Sequence, residues 1–263
     1  MARSAKHCDN PRFCAITPEH HPQGRQSAHV NQTWHQSLFA STWSRNLPRD
    51  VQSEIMAAAS SHRLEQDAEV IRQGAPFSGL ICLLTGEMHV IGTARCGDEL
   101  LMGVLRPNDW TGFLAALDQG CYAFSVRAMT ECRVARLDAA ATQRIFERDL
   151  ARFKLLLAPE LAVSRGTYHY FVETSYRPPM LRLAERMIGL GRWPYSVAPG
   201  EASRLEKISQ TDLANATRLS RQTINVCLGR LAEQGIVKVG YRTVEVIDLH
   251  RLGLIATGDL VLE

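Results

Sequence analysis

The chain has 263 residues, 45% of them hydrophobic and 22% charged, with a net charge of +3. That composition excludes wholesale disorder and a fibrous or collagen-like chain, and the length suits one large domain or two modest ones. Uncharged apolar runs fall short of the roughly 18 residues a membrane span needs, so no transmembrane helix is expected.

The first twenty or so residues lack the apolar stretch of a signal peptide, and the seven cysteines include no C-x-x-C pair. A reducing cytoplasm is the expected setting. Charge is unevenly placed. Residues 1–176 are balanced, whereas residues 177–251 carry 12 Lys/Arg against 7 Asp/Glu. A basic segment behind a neutral body points to a polyanion partner, against the alternative of a solvated face with spare arginines.

Residues 1–45 are polar, hold five of the nine histidines and show no sustained period, so they read as a disordered arm. Residues 48–59 predict a short helix: Pro48 sets the first turn, and Val51, Ile55 and Ala58 or Ala59 share a face. From about 62 to 137, strand-like runs alternate with glycines at roughly ten-residue spacing, the pattern of an antiparallel β sandwich, roll or barrel. The runs LICLL and LLMGVL are apolar on both faces and should be covered on both sides.

Asp138 is placed to cap a helix over 139–148. Leu150, Phe153, Leu157, Leu161, Ser164, Tyr168 and Phe171 then recur at intervals of three and four. That seam suits either pairing with a second helix or packing on its own domain. Pro159 lies inside it and predicts a kink or break near Ala158. Pro178 and Pro179 end this helix and mark a hinge, after which 180–190 is again helical and 191–207 loop-like.

Residues 208–247 carry the most specific pattern. Ser209 caps a short helix with Asp212 at its third position, and Thr217 to Leu219 form a tight connection. Ser220 caps a second helix whose inward face is Ile224, Leu228 and Leu231, and Gly235 stops it. Two short strands joined at Gly240-Tyr241 follow, which completes a helix-turn-helix with a β wing. Arg221, Gln222 and Asn225 cluster at the N-terminal end of the second helix, where base-edge readout needs such side chains.

This order of elements resembles the Crp/Fnr family of bacterial transcription regulators from about residue 48 to 250. IRQG (71–74), LTG (84–86), VRAMT (126–130) and LSRQTINVCLGRL (219–231) are its landmarks. The resemblance implies an α+β chain: an N-terminal antiparallel β jelly roll of the cyclic-nucleotide-binding type, a long dimerisation helix and a C-terminal winged helix-turn-helix. The expected division is an arm at 1–45, an effector domain at 46–148, the dimer helix at 149–176, a DNA-binding domain at 177–255 and a tail at 256–263. It also implies a homodimer on palindromic double-stranded DNA, with RNA polymerase as a further candidate partner and no membrane.

In cyclic-AMP-responsive members a Gly-Glu pair meets the ribose and an Arg-Ser pair the phosphate. Here Gly112 matches, Phe113 stands in place of the Glu and would fill the ribose space, and Tyr122-Ala123 stand in place of Arg-Ser. Each lost charge-assisted bond is worth about 1.5–3 kcal/mol, so ordinary cyclic-AMP binding is not expected. Arg127 is expected to point outward. The effector is otherwise open.

Cys8 and Cys14 are too few for an iron–sulfur cluster of the Fnr type, and Cys82 and Cys132 are expected as buried hydrophobes. The N-terminal histidines (7, 20, 21, 29, 35) have no ligand spacing, so no metal is expected.

In the recognition helix, Arg221 suits a guanine, Gln222 an adenine, Asn225 a base edge and Val226 a thymine methyl. Ser220, Thr223, Gln210, Thr211, Lys238, Tyr241 and Arg242 are expected on phosphates. Competing readings are a sensor acting through protein contacts, a redox regulator using β-domain cysteines, and a cupin-like metal enzyme. The last is disfavoured because the β domain holds only His62 and His89, so no catalytic residues are assigned.

Overall fold

The computed structural model describes residues 34–191, 208–241 and 243–262. Three helices come first: α1 (Trp34–Ser37), α2 (Thr42–Arg45) and α3 (Arg49–Ala58). The β body follows as β1 (Ser60–Leu64), β2 (Glu69–Ile71), β3 (Gly79–Thr85), β4 (Met88–Thr93), β5 (Glu99–Leu105), β6 (Trp110–Thr111), α4 (Phe113–Asp118), β7 (Ser125–Ala128) and β8 (Cys132–Asp138). Next are α5 (Ala139–Phe146), α6 (Leu150–Tyr176) and α7 (Pro179–Gly191). The C-terminal part holds α8 (Gln210–Thr217), α9 (Arg221–Glu233), β9 (Val237–Gly240), β10 (Thr243–Val246) and α10 (Leu249–Thr257).

The body is two antiparallel four-stranded sheets, ordered β1-β8-β3-β6 and β2-β7-β4-β5. Strand alternation explains how the first is covered on both faces. Leu80, Cys82 and Leu84 of β3 join Ala135 and Leu137 of β8 in a core shared with the helices α3, α5 and α6. Ile81, Leu83 and Val134 point the other way and meet Met88, Val90 and Val126 of the second sheet. The doubly apolar run LICLL is thus buried on both sides.

The arm expected at 1–45 is corrected at its C-terminal end. Residues 34–45 carry α1 and α2, and Leu38 and Trp43 are buried in the helical layer. Trp43 stacks edge-on to Trp110 and Phe113, with centroids 5.7 and 4.8 Å away. The indole N–H of Trp110 donates to the Leu38 carbonyl at 3.1 Å. These contacts are made with residues far along the chain, so no local period announces them. Residues 1–33 lie outside the described residues.

The expected break near Ala158 is also corrected, because α6 is helical without interruption from Leu150 to Tyr176 across Pro159. Proline removes the donor that would serve the carbonyl four residues earlier. That carbonyl belongs to Leu155, and it accepts the Trp43 indole N–H at 2.8 Å instead. Arg152, on the inner face of α6, pairs with Asp50 and with Glu54 at 2.9 Å, which fastens α6 to α3.

The second sheet positions the C-terminal domain. β5 is its edge strand, and its pairing with β4 shifts between Val90 and Ile91, so Met102 is an extra, unpaired residue. Such a bulge turns the strand by one residue. Leu101 and Val104, three apart, therefore share a face, and both are buried in the core formed with α7, α8 and α9. Arg186 of α7 donates to the edge carbonyls of Leu101 at 2.6 Å and Met102 at 2.8 Å.

The segment expected as a tail from 256 is corrected as well. α10, capped by Asp248 and stopped by Gly258 in the left-handed region, runs to Thr257. It packs on α7, and Leu260 and Leu262 add to the same core. Arg177 at the hinge donates to the Ala256 carbonyl near the end of α10. Among the described residues no helix is long and apolar enough to cross a membrane.

Candidate nucleic-acid interface

α8 starts with a reciprocal cap. The Ser209 hydroxyl accepts from the Asp212 N–H at 3.1 Å, and the Asp212 carboxylate accepts from the Ser209 N–H at 2.8 Å. It ends where Arg218 takes a left-handed conformation, φ 55°, and where Arg182 of α7 donates to the Thr217 carbonyl. A guanidinium there also opposes the negative end of the helix dipole. Ser220 then caps α9 by accepting from the Thr223 N–H at 3.0 Å. Ile224, Leu228 and Leu231 are fully buried, and Cys227 joins them. Burial raises the Cys227 thiol above its ordinary range, with Arg230 opposing the shift.

With that face fixed inward, the opposite one faces solvent. Arg221, Gln222 and Asn225 are exposed, and Val226 is 54% exposed. Gly229 continues the stripe of Gln222, Asn225 and Val226 at helical spacing, and a Cβ there would meet no neighbouring atom outside its own helix backbone within 4 Å. The body docks on α7 and α8, on the side away from this stripe. Among the described residues, nothing covers the N-terminal end of α9.

The wing strands β9 and β10 pair from Val237↔Val246 to Gly240↔Thr243. A cleft of about 300 Å³ between the start of α8 and the wing tip is lined by Ser209, Gln210, Thr211, Gly240, Tyr241, Thr243 and Val244. It brings together three of the residues expected on phosphates, Gln210, Thr211 and Tyr241. Tyr241 is 93% exposed, and Lys238 is exposed opposite Glu245. Ser220 and Thr223 hydroxyls bond each other at 2.8 Å, which leaves one hydroxyl proton for an external acceptor. Arg242 lies outside the described residues. Sequence reasoning missed Arg218, which the left-handed turn leaves exposed beside α9. It also missed Gly229, whose interior helical position was the available signal.

The effector region differs from expectation in one respect. Gly112, at φ 101°, turns the chain into α4, and Phe113 then packs among Trp43, Trp110 and Phe146 in the helical layer. It does not enter the space between the sheets. Tyr122 and Ala115 occupy that inter-sheet core instead. The Tyr122 hydroxyl accepts from the N–H groups of Ser78 and Gly79, both at 3.1 Å, and donates to the Gly79 carbonyl at 2.7 Å. Ala123 is exposed. Arg127 lies on the outer face, paired with Glu99 at 2.8 Å.

Cys82 and Cys132 are buried, and burial, with Asp109 adding to it, holds the Cys82 thiol far above its ordinary range. Among the described residues no three His, Cys, Asp or Glu side chains converge as metal ligands.

Two family models match this chain: a cyclic nucleotide-binding domain over residues 61–149 and a Crp-like helix-turn-helix domain over residues 181–255. The "CRP-like cAMP-activated global transcriptional regulator" of Mycobacterium tuberculosis is 26% identical over 187 residues, 70% of this chain and 82% of the relative. Among solved structures, FixK2 from Bradyrhizobium japonicum has a TM-score of 0.62 at 17% identity, covering 75% of this chain and 96% of its own. The c-di-GMP responsive regulator CLP of Xanthomonas campestris has a TM-score of 0.58 at 18% identity, covering 76% and 99%.

Proposed function

This chain belongs to the Crp/Fnr family of transcription regulators, and we propose that it binds a palindromic operator as a homodimer without ordinary cyclic-AMP binding. The observation that carries the DNA reading is the exposed N-terminal end of α9, where a guanidinium and a carboxamide stand free of the protein's own core. In such proteins the second helix enters the major groove, and dimer halves reach sites about one helical turn apart.

The dimer reading rests on α6. Arg152, Leu156 and Pro159 face its own domain, whereas Leu150, Tyr168, Phe171 and Tyr176 expose apolar surface on the roughly opposite side. Phe153, Leu157 and Ser164 lie half-buried along the same seam. An apolar stripe of this length on a surface helix suits a second copy of the helix.

Two features support an effector domain that does not take cyclic AMP in the usual way. The ribose carboxylate is replaced by a phenylalanine that faces elsewhere. The phosphate arginine is replaced by Tyr122, whose hydroxyl is bonded to the protein's own backbone. A ligand would have to break those bonds and displace close-packed side chains. Selection of duplexes from a random pool, with and without cyclic nucleotides, tests all of this. A palindrome recovered equally under both conditions is expected. Recovery only with a cyclic nucleotide contradicts the ligand reading, and half-sites bound by a monomer contradict the dimer reading.

A further inference from the structure

Pro159 leaves one carbonyl of α6 without its helical donor, and the donor that serves it comes from elsewhere in the fold. Leu155 is four residues before Pro159, and its carbonyl accepts the Trp43 indole N–H at 2.8 Å. Trp43 is held for that task on every side. Its ring meets Phe113 at the start of α4, Trp110 of β6 and Phe146 of α5. Ser41 caps α2 just ahead of it by accepting from the Ser44 N–H at 3.1 Å. Leu38, fully buried, is tied by its carbonyl to Trp110. One side chain therefore touches α4, the sheet, and the backbone of α6 at the carbonyl that Pro159 leaves without a helical donor.

We propose that Trp43 is a positioning residue for DNA binding: the segment Leu38–Leu47 clips α6 to the effector domain and holds it ready for dimerisation without a ligand. The inference rests on α6 being the dimer helix. A ligand in the inter-sheet core could reach α6 through α4. In this chain the clip supplies a permanent link between the same two elements, since Trp43 packs on Phe113 and bonds Leu155. Pro159 matters because it makes the Leu155 carbonyl available. With any other residue at 159 the helix would supply its own donor and the indole bond would be redundant.

The test is a cycle of Trp43→Phe, Pro159→Ala and the double variant in the full chain. Phe keeps an aromatic ring and deletes the N–H; Ala restores the helical donor to Leu155. Binding to a duplex selected by the wild type should weaken roughly tenfold in Trp43→Phe, the scale of one partly buried acceptor left unpaired. The double variant should bind to within about twofold of Pro159→Ala. Hydrogen exchange of the amides at 150–160 should rise in Trp43→Phe and return in the double variant. Equal losses from Trp43→Phe in both backgrounds would make Trp43 a packing residue only, and no loss in either would overturn the clip. If Trp43→Phe does not fold, the clip predicts that adding Pro159→Ala restores folding, and a double variant that also fails overturns it. A wild type that exchanges as expected and is monomeric on DNA would instead sink the dimer reading, with the exchange cycle still scoring the clip.

Discussion

Replacing Arg186 with Met tests how the DNA-binding domain is oriented. Met keeps an unbranched apolar stem and removes the guanidinium that donates to the Leu101 and Met102 carbonyls. A hydrogen bond from a charged donor is worth about 1.5–3 kcal/mol. The Leu101 bond is partly buried and counts in full. The Met102 bond is exposed, so water replaces most of it. The sum is about 2–3 kcal/mol, which shifts the docking of α7 and α8 on β5 by roughly 30- to 150-fold. Native-state hydrogen exchange reads this directly: amides of 99–105 and 180–190 should exchange faster by about that factor. Exchange unchanged in β5 and α7 would mean that the apolar contact of Leu101 and Val104 sets the orientation by itself, and the latch would be refuted.

Further outcomes follow from the interface and from the buried thiols. Lys238→Ala should reduce the slope of log affinity against log salt by about one unit, and an unchanged slope takes the wing off the phosphates. Gly229→Ala should stabilise α9 by about 0.5–1 kcal/mol, because open space surrounds the position, yet weaken DNA binding by placing a methyl on the contact stripe. Affinity that is unchanged or improved would place that end of the helix away from the duplex. Iodoacetamide at about pH 8 should alkylate exposed Cys96 in the native protein and spare Cys82, whose thiol is held protonated by burial. Equal labelling by mass spectrometry would contradict that and favour a redox role for the β-domain cysteines.

What was legible in the sequence is what local chemistry decides. Ser209 with Asp212, Ser220, Asp138 and Gly235 each do by hydrogen bond or left-handed φ what their residue type favours at a helix end. The run along β3 was legible because two covered faces leave no polar alternation. Two misses depend on partners distant in the chain. Trp43 and Trp110 find their acceptors at Leu155 and Leu38, so the helical start at 34–45 has no periodic signature and the break at Pro159 does not occur.

The direction of Phe113 hangs on the left-handed turn at Gly112, and the bulge at Met102 is a backbone event that no side chain announces. For α10 the signals were present, an Asp cap, Leu252 and Ile255 three apart, and a Gly stop. At the interface, residue type pointed to Arg221 and Gln222, but only the three-dimensional packing shows them exposed among the described residues.

Base readout by the start of α9 is tested most directly by Arg221→Ala, measured on a selected duplex and on every single base-pair change within it. The account predicts a loss of about 1–3 kcal/mol confined to one guanine in each half-site, with discrimination at the remaining positions retained. An equal loss on every duplex, including non-specific DNA, would make Arg221 a phosphate contact and contradict it.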